Sequence, residues 1–318
     1  MVNSIVLQNG SPIPLLGLGT WKADPGVVGM AVKSAIVNCG YRHIDCAHIY
    51  GNEAEIGQSL QDIFEDDGND IHRDDLFITS KLWNTMHAPE DVMPALQKTL
   101  ADLQLKCIDL YLIHWPVVLS KETKGLKISL EDMPLIDTWR ALEECVDKGL
   151  VKNIGVSNFS KKKLQDLISK GLKHKIAVNQ VELHPYLQMN ELKEYCDAQG
   201  IHLTAYSPLG SKDRPPTLKN EGEKPILEDP VIADIAKQRA ATPAQVILAW
   251  GMQRGISVIP KSTSPSRQKQ NIEAANLKLS SEDMEKISSL DAHKTRYVDG
   301  SFWCGEGSPY TMENLWDE

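Results

Sequence analysis

Eight short apolar runs, at residues 16–21, 43–47, 77–82, 110–115, 153–157, 177–183, 202–207 and 257–261, recur along the chain. Each is nearly continuously hydrophobic instead of alternating, the pattern of a strand covered on both faces. The stretches between them carry apolar residues at helical spacing: 27–38, 53–64, 89–103, 135–148, 161–170, 190–199 and 243–254, with 266–275 after the last run. Several open on proline or an acidic residue, as Pro89-Glu90-Asp91 does, and close near glycine, as Lys148-Gly149, Gln199-Gly200 and Arg254-Gly255 do. Eight strand–helix units in series close most economically into a single α/β barrel of the (β/α)8 TIM type. Its helices would lie outside and its site at the strand C-termini. A doubly wound open sheet is the competing arrangement.

Three segments fall outside that rhythm. Asn9-Gly10, between Ile5-Val6-Leu7 and Ile13-Pro14-Leu15, predicts a tight two-residue N-terminal β-hairpin. Residues 210–229 are too polar to pack as core and read as a surface loop before an extra helix at 230–238; a second extra helix is expected at 281–290. The tail holds Tyr297, Phe302, Trp303, Tyr310, Leu315 and Trp316, rings that must be buried somewhere. Either the tail is a C-terminal loop over the barrel mouth, or it docks on the barrel side. With no linker and no internal repeat, residues 1–318 read as one domain.

Composition narrows the function. Of 318 residues, 42% are hydrophobic and 24% charged, enough for a sizeable core, and no apolar run is long enough to span a membrane. A formal net charge of −9 argues against a nucleic-acid partner, because phosphate binding needs a basic surface. The first residues show no export or transit pattern, so a cytoplasmic location is the expectation. Cys39, Cys46, Cys107, Cys145, Cys196 and Cys304 form no C-x-x-C pair; reduced thiols are expected, Cys39 and Cys107 in apolar surroundings, with no metal site.

Familiar nucleotide and hydrolase motifs are missing. Gly17-Leu18-Gly19 would need its third glycine at Lys22, so the dinucleotide fingerprint of open sheets fails. There is no phosphate loop, no H-E-x-x-H helix and no G-x-S-x-G elbow. A barrel hydrolase using bound metal would need ligand clusters at several strand ends; His43 and Asp45 alternate, but the next strand supplies lysine.

What remains is a polar set at the predicted strand ends: Asp45, Tyr50, Lys81 and His114. Asp45 and Lys81 are costly to bury alone and are expected to pair on neighbouring strands, an arrangement that a purely structural role would also explain. Tyrosine beside an ammonium group has its phenolate favoured, so Lys81 is expected to lower the Tyr50 pKa. A histidine on the next strand can orient a carbonyl oxygen and stabilise charge developing on it. Trp21, Trp83 and Trp115, also at strand ends, suggest an apolar pocket, or ordinary rim packing. Lys261-Ser262-Thr263 leading into Pro265-Ser266-Arg267 joins cations and hydroxyls to a helix start, which suits an anion.

Two long matches of fixed spacing make the sequence resemble the aldo-keto reductase superfamily over essentially its whole length. One runs from Gly40-Tyr41-Arg42-His43-Ile44-Asp45-Cys46-Ala47 through Tyr50-Gly51-Asn52-Glu53 to Gly57; the other is Ile259-Pro260-Lys261-Ser262-x4-Arg267-x2-Gln270-Asn271. The resemblance implies reversible, NADPH-dependent reduction of a small carbonyl compound (aldehyde, ketone or sugar) by a protein that is monomeric by family default. Tyr50 would be the general acid, Lys81 would tune it, Asp45 would hold the lysine, and His114 would orient the substrate.

The same resemblance implies that Thr20, Trp21 and Asp45 lie at the cofactor with Ser157, Asn158 and Gln180 on its carboxamide. Tyr206 would stack on the nicotinamide, although its position alone reads as a core aromatic. Ser207, Leu209 and Ser211 would line the pyrophosphate, and Lys261, Ser262, Thr263 and Arg267 the 2′-phosphate. Gln270 and Asn271 would meet the adenine, Gln270 standing where many relatives carry glutamate. Trp21, Tyr50, Trp83, His114, Trp115 and Trp303 are the implied substrate contacts. Pro215-Pro216 occupies a stretch where several relatives place a tryptophan, and Phe302 and Cys304 of the tail are further candidates for the pocket wall.

Overall fold

The computed structural model describes residues 3–123, 125–219 and 222–317. Strand β1 (Ser4–Val6) pairs antiparallel with β2 (Pro12–Pro14), Val6 opposite Pro12. The connection is looser than the expected two-residue turn. Leu7 N donates to Ser11 O at 2.9 Å, and Asn9 Oδ1 accepts from Ser11 N at 3.0 Å, so residues 8–10 form the loop. The asparagine side chain closes the loop itself, which a two-residue turn would not require. Leu7 and Ile13 of this hairpin pack with Phe77, Leu110 and Val178 across the N-terminal end of the main sheet.

The main sheet contains, in chain order, β3 (Leu18–Gly19), β4 (His43–Asp45), β5 (Phe77–Leu82) and β6 (Ile108–Ile113). After β6 the chain makes a small antiparallel pair, β7 (Val118–Leu119) with β8 (Lys127–Ile128). It then returns to the sheet as β9 (Val151–Ser157), β10 (Val178–Glu182), β11 (His202–Tyr206) and β12 (Ser257–Val258). The eight strands are parallel and lie in the order β3-β4-β5-β6-β9-β10-β11-β12.

The two edges meet. Bridges Leu16–Val258 and Gly19–Lys261 join β3 to β12, with Gly17 N donating to Val258 O and Val258 N to Leu15 O, each at 2.9 Å. A Cβ on Gly19 would stand 2.7 Å from the Ile259 carbonyl oxygen, so closure at this seam needs glycine. The sheet is therefore a closed (β/α)8 barrel, and the open-sheet alternative is excluded.

Helix boundaries follow their caps. Glu53–Phe64, Asn190–Gln199 and Pro230–Gln238 span the expected residues, the last with Asp229 Oδ1 accepting from Val231 N and Ile232 N. Pro243–Gln253 opens on a Thr242/Gln245 capping box. The expected helix at 27–38 is instead Val28–Lys33 running into a wider-wound turn at Ser34–Asn38. Among the described residues no helix is long and apolar enough to cross a membrane. All six cysteines are free; Cys46, Cys145 and Cys196 are the buried ones, whereas Cys39 and Cys107 are only half-buried.

The tail lies over the barrel mouth. Trp303, Tyr310, Leu315 and Trp316 form one cluster with Trp115 and Val117, which follow β6. Tyr310 Oη donates to Ile128 O at 2.6 Å and accepts from Val118 N at 2.8 Å, so the β7–β8 pair is a dock for the tail. A short helix, Met312–Trp316, ends it. Gly300, at φ +76°, takes a backbone conformation that side chains rarely adopt, and its missing Cβ would lie 2.6 Å from Leu315.

Candidate active site

Lys81, near the end of β5, is 1% exposed and has three partners for its three N–H bonds. Its Nζ lies 2.6 Å from Asp45 Oδ1, 2.8 Å from the Cys46 carbonyl oxygen and 3.4 Å from Tyr50 Oη. Neighbouring β4 delivers Asp45, whose second oxygen accepts from Gln180 Nε2 at 2.7 Å. Tyr50 sits on a single 3₁₀ turn, His48–Tyr50, closed by Gly51 in the left-handed region. His114, just past β6, meets the Tyr50 ring edge-on at 5.9 Å and the Trp83 ring at 5.3 Å. Asn158 Nδ2 donates to the His114 carbonyl at 2.9 Å, and Tyr206 Oη donates to Asn158 Oδ1 at 2.7 Å. Four residues separated by up to 69 positions in sequence thus converge on one point.

The electrostatics differ from expectation at one place. Burial pushes the Tyr50 phenol up to about 12; Lys81 pulls it down, by charge and by hydrogen bond, but does not reverse the shift. Asp45 adds to the upward push, because it neutralises part of the lysine's field. For Lys81 itself, burial is the largest influence and favours the neutral amine, yet Asp45 and Tyr50 together outweigh it and the net shift is upward. His114 is held well below the ordinary imidazole value by burial first, then by Lys81 and His87. The site therefore offers a phenol, an ammonium and a neutral imidazole.

Asp45, Tyr50 and His114 line a cavity of about 710 Å³ at the C-terminal mouth of the barrel, and Lys81 lies outside the lining, reaching it through Tyr50. Around Tyr50 and His114 its wall is apolar: Trp21, Ile49, Trp83 and Trp115, with Val298, Phe302 and Trp303 from the tail. Thr20, Ser157, Asn158, Gln180 and Tyr206 also line it, and farther along it come Ser207, Leu209, Ser211, Lys261, Ser262, Thr263 and Arg267. Cys304 and the Pro215-Pro216 stretch are not part of the wall.

Comparison with known proteins agrees with this geometry. The Aldo/keto reductase family profile matches residues 15–292. An aldo/keto reductase of Synechocystis is 52% identical over 317 residues, covering 98% of this chain and 95% of that protein. Human aldo-keto reductase family 1 member A1 is 47% identical over 301 residues, covering 92% and 90%. Among solved structures, the aldose reductase of Schistosoma japonicum superposes with a TM-score of 0.84 at 38% identity, covering 95% of this chain and 96% of that one. The chain belongs to the aldo-keto reductase family.

Two expected contacts of this aldo-keto reductase stand beyond the cavity lining. Gln270 and Asn271 are not among its lining residues; Gln270 is exposed, with its backbone carbonyl accepting from Gln245 Nε2 at 2.9 Å, and Asn271 is buried. Both share the helix Pro265–Glu273 with Arg267 but stand about one turn, roughly 5 Å, farther along its axis. A further pair was not legible in the sequence. Lys261 Nζ bonds Asp213 Oδ2 at 2.7 Å, and Lys22 Nζ reaches the Asp213 carbonyl oxygen, so the polar loop after β11 is tied across the cavity. Lys22 has φ +60°, and only its charge hinted at a partner.

Among the described residues one group could gather a metal ion, His48, Glu53 and Asp102. It lies outside the cavity lining, and Glu53 already accepts hydrogen bonds from Ser80 and Thr99.

Proposed function

We propose that this aldo-keto reductase is one catalytic domain, residues 1–318, that reduces aldehydes and ketones to alcohols with NADPH. The observation that carries the reading is the meeting of Tyr50, backed by Lys81, with His114 at one part of a cavity that also reaches Lys261 and Arg267. An anion-binding region and an acid–orienter pair share one space.

The residues present fit such a dinucleotide. Lys261, Arg267 and the hydroxyls of Ser262 and Thr263, at a helix start, would hold the 2′-phosphate. Ser207, Leu209 and Ser211 would flank the pyrophosphate, with the Lys22–Asp213–Lys261 tie closing over it. Gln180 spends its Nε2 on Asp45, and Ser157 Oγ donates to the Gln180 carbonyl at 2.7 Å. The Gln180 amide oxygen is therefore the acceptor left for a carboxamide N–H, beside Thr20 and Asn158. Tyr206, fixed through its hydroxyl to Asn158, would present its ring to the nicotinamide.

When bound, NADPH supplies the hydride. The chain's own part is to orient and protonate. A neutral His114 donates a hydrogen bond to the carbonyl oxygen, and Tyr50 delivers its phenolic proton to that oxygen as negative charge builds on it. Lys81 steadies the phenolate left behind, and Asp45 keeps the lysine in place. A phenol held near 12 is still a far stronger acid than an alcohol, so the transfer runs downhill. The tryptophan-lined wall favours carbonyl compounds bearing apolar groups over polyols.

The test is NADPH oxidation across a panel of aldehydes, ketones and sugars, with NADH as comparator. Turnover of aromatic and aliphatic aldehydes, faster with NADPH, is expected. No turnover of any carbonyl would overturn the reading.

A further inference from the structure

Glu182 closes β10 with a fully buried carboxylate that the reduction itself does not use. It is not part of the cavity wall. Its Oε1 accepts from Tyr297 N at 2.6 Å and from His184 Nε2 at 2.9 Å, and its Oε2 accepts from Val298 N at 2.7 Å. Two successive backbone N–H groups are thus gripped by the two oxygens of one carboxylate, a charge-assisted pairing that a neutral side chain cannot reproduce.

The gripped residues begin the tail. Val298 itself, then Phe302 and Trp303, form the tail's share of the apolar wall around Tyr50 and His114. The far end is tied separately: Lys163 Nζ bonds Asp317 Oδ2 and the Asn314 carbonyl, each at 2.6 Å, and Ser160 Oγ also reaches Asp317. Between the two ties the segment is held by ring packing, by Trp316 Nε1 donating to Asp299 O at 2.6 Å and, beyond the wall residues, by the Tyr310 hydroxyl on Ile128 O and Val118 N. Where the wall residues stand depends on where the strand end fixes 297 and 298.

We propose that Glu182 is a specificity-setting positioning residue, whose clamp on the backbone of Tyr297 and Val298 holds the tail's pocket wall in place. It acts on which carbonyl compounds fit, leaving the chemistry at Tyr50 alone. The inference rests on the carbonyl-reductase reading for its substrates, but the clamp can be tested without turnover.

The probe is Glu182→Gln in the full-length protein, which keeps the side chain's size but turns one acceptor into a donor facing an N–H. Its KM for 2-naphthaldehyde should rise about tenfold, with kcat within about twofold, as expected when ground-state and transition-state binding are lost together. KM for propanal, which needs little of the tail's wall, should stay within about twofold, as should the NADPH dissociation constant. Trypsin should cleave after Arg296 faster in the variant, and Trp303→Ala should make the two KM effects non-additive. If Glu182→Gln fails to fold, Glu182→Asp, which keeps the charge but withdraws the oxygens, gives the same readings.

Equal KM changes for both aldehydes, or a fall in kcat with propanal, would overturn the proposal. So would unchanged trypsin cleavage in an active protein. Should the wild-type protein reduce no carbonyl, the enzymatic reading falls, while faster cleavage of the variant after Arg296 still supports the clamp.

Discussion

Lys81 Nζ lies 3.4 Å from Tyr50 Oη, while the same nitrogen lies 2.6 Å from Asp45 Oδ1. The lysine is bound more closely to its carboxylate than to the phenol. Its influence on Tyr50 is therefore a correction to a shift that burial dominates, and the phenol remains protonated through the neutral range.

That order of effects sets a pH dependence. Reduction needs the protonated phenol and should be nearly flat from pH 6 to about 9. His114, held well below its ordinary value, should add no break near pH 6.5. Alcohol oxidation needs the phenolate and should rise toward high pH. Lys81→Met removes the group that pulls Tyr50 down, so the rise should move to still higher pH. Rate–pH profiles in both directions check this; a limb near pH 6.5 that vanishes in His114→Gln would contradict it.

On the proposed function, Lys261 and Arg267 should separate the cofactor from its unphosphorylated analogue. Lys261→Ala or Arg267→Ala should weaken NADPH about tenfold or more and NADH only slightly, since only the former carries the 2′-phosphate. Fluorescence titration with both dinucleotides reads the difference. Equal losses for both would remove the phosphate assignment.

Acid should destabilise the barrel through its interior histidines. Burial pushes His43 and His202 down to about 4, each neutral when folded. The unfolded chain binds their protons below about pH 6.5, so this contribution is complete above that pH and drains away as pH falls toward 4. It is on the order of 3 kcal/mol per histidine. Urea unfolding between pH 7 and 4 should show a shallower decline in His43→Gln; an unchanged slope would sink the assignment.

Much of the fold was legible because its signals are local. Phe77–Leu82, Glu53–Phe64 and Pro230–Gln238 carry their own apolar pattern or cap, and each spans the expected residues. The barrel seam was less so: β3 and β12 are two residues each, shorter than the runs at 16–21 and 257–261, and the close approach of Gly19 to the Ile259 carbonyl shows only in the structure. The β7–β8 pair has no alternation to reveal it, and Tyr310 docks on it from the tail.

The site divides in the same way. Asp45 and Lys81 were visible because charges inside apolar strands need a partner, and the structure pairs them. Asp213 and Glu182 were not, since a polar loop residue and a strand-end carboxylate look ordinary until their distant partners, Lys261 and the 297–298 backbone, are in place. The direction of the Tyr50 shift was misjudged because sequence gives the neighbouring charge but not the depth of burial.

The central claim is that Tyr50 gives its proton to the substrate. Steady-state reduction by Tyr50→Phe, with NADPH binding followed by fluorescence, tests it most directly. The account predicts a loss of turnover on the order of 10²–10⁴-fold with NADPH affinity kept within about twofold. Turnover close to that of the unaltered protein would contradict it.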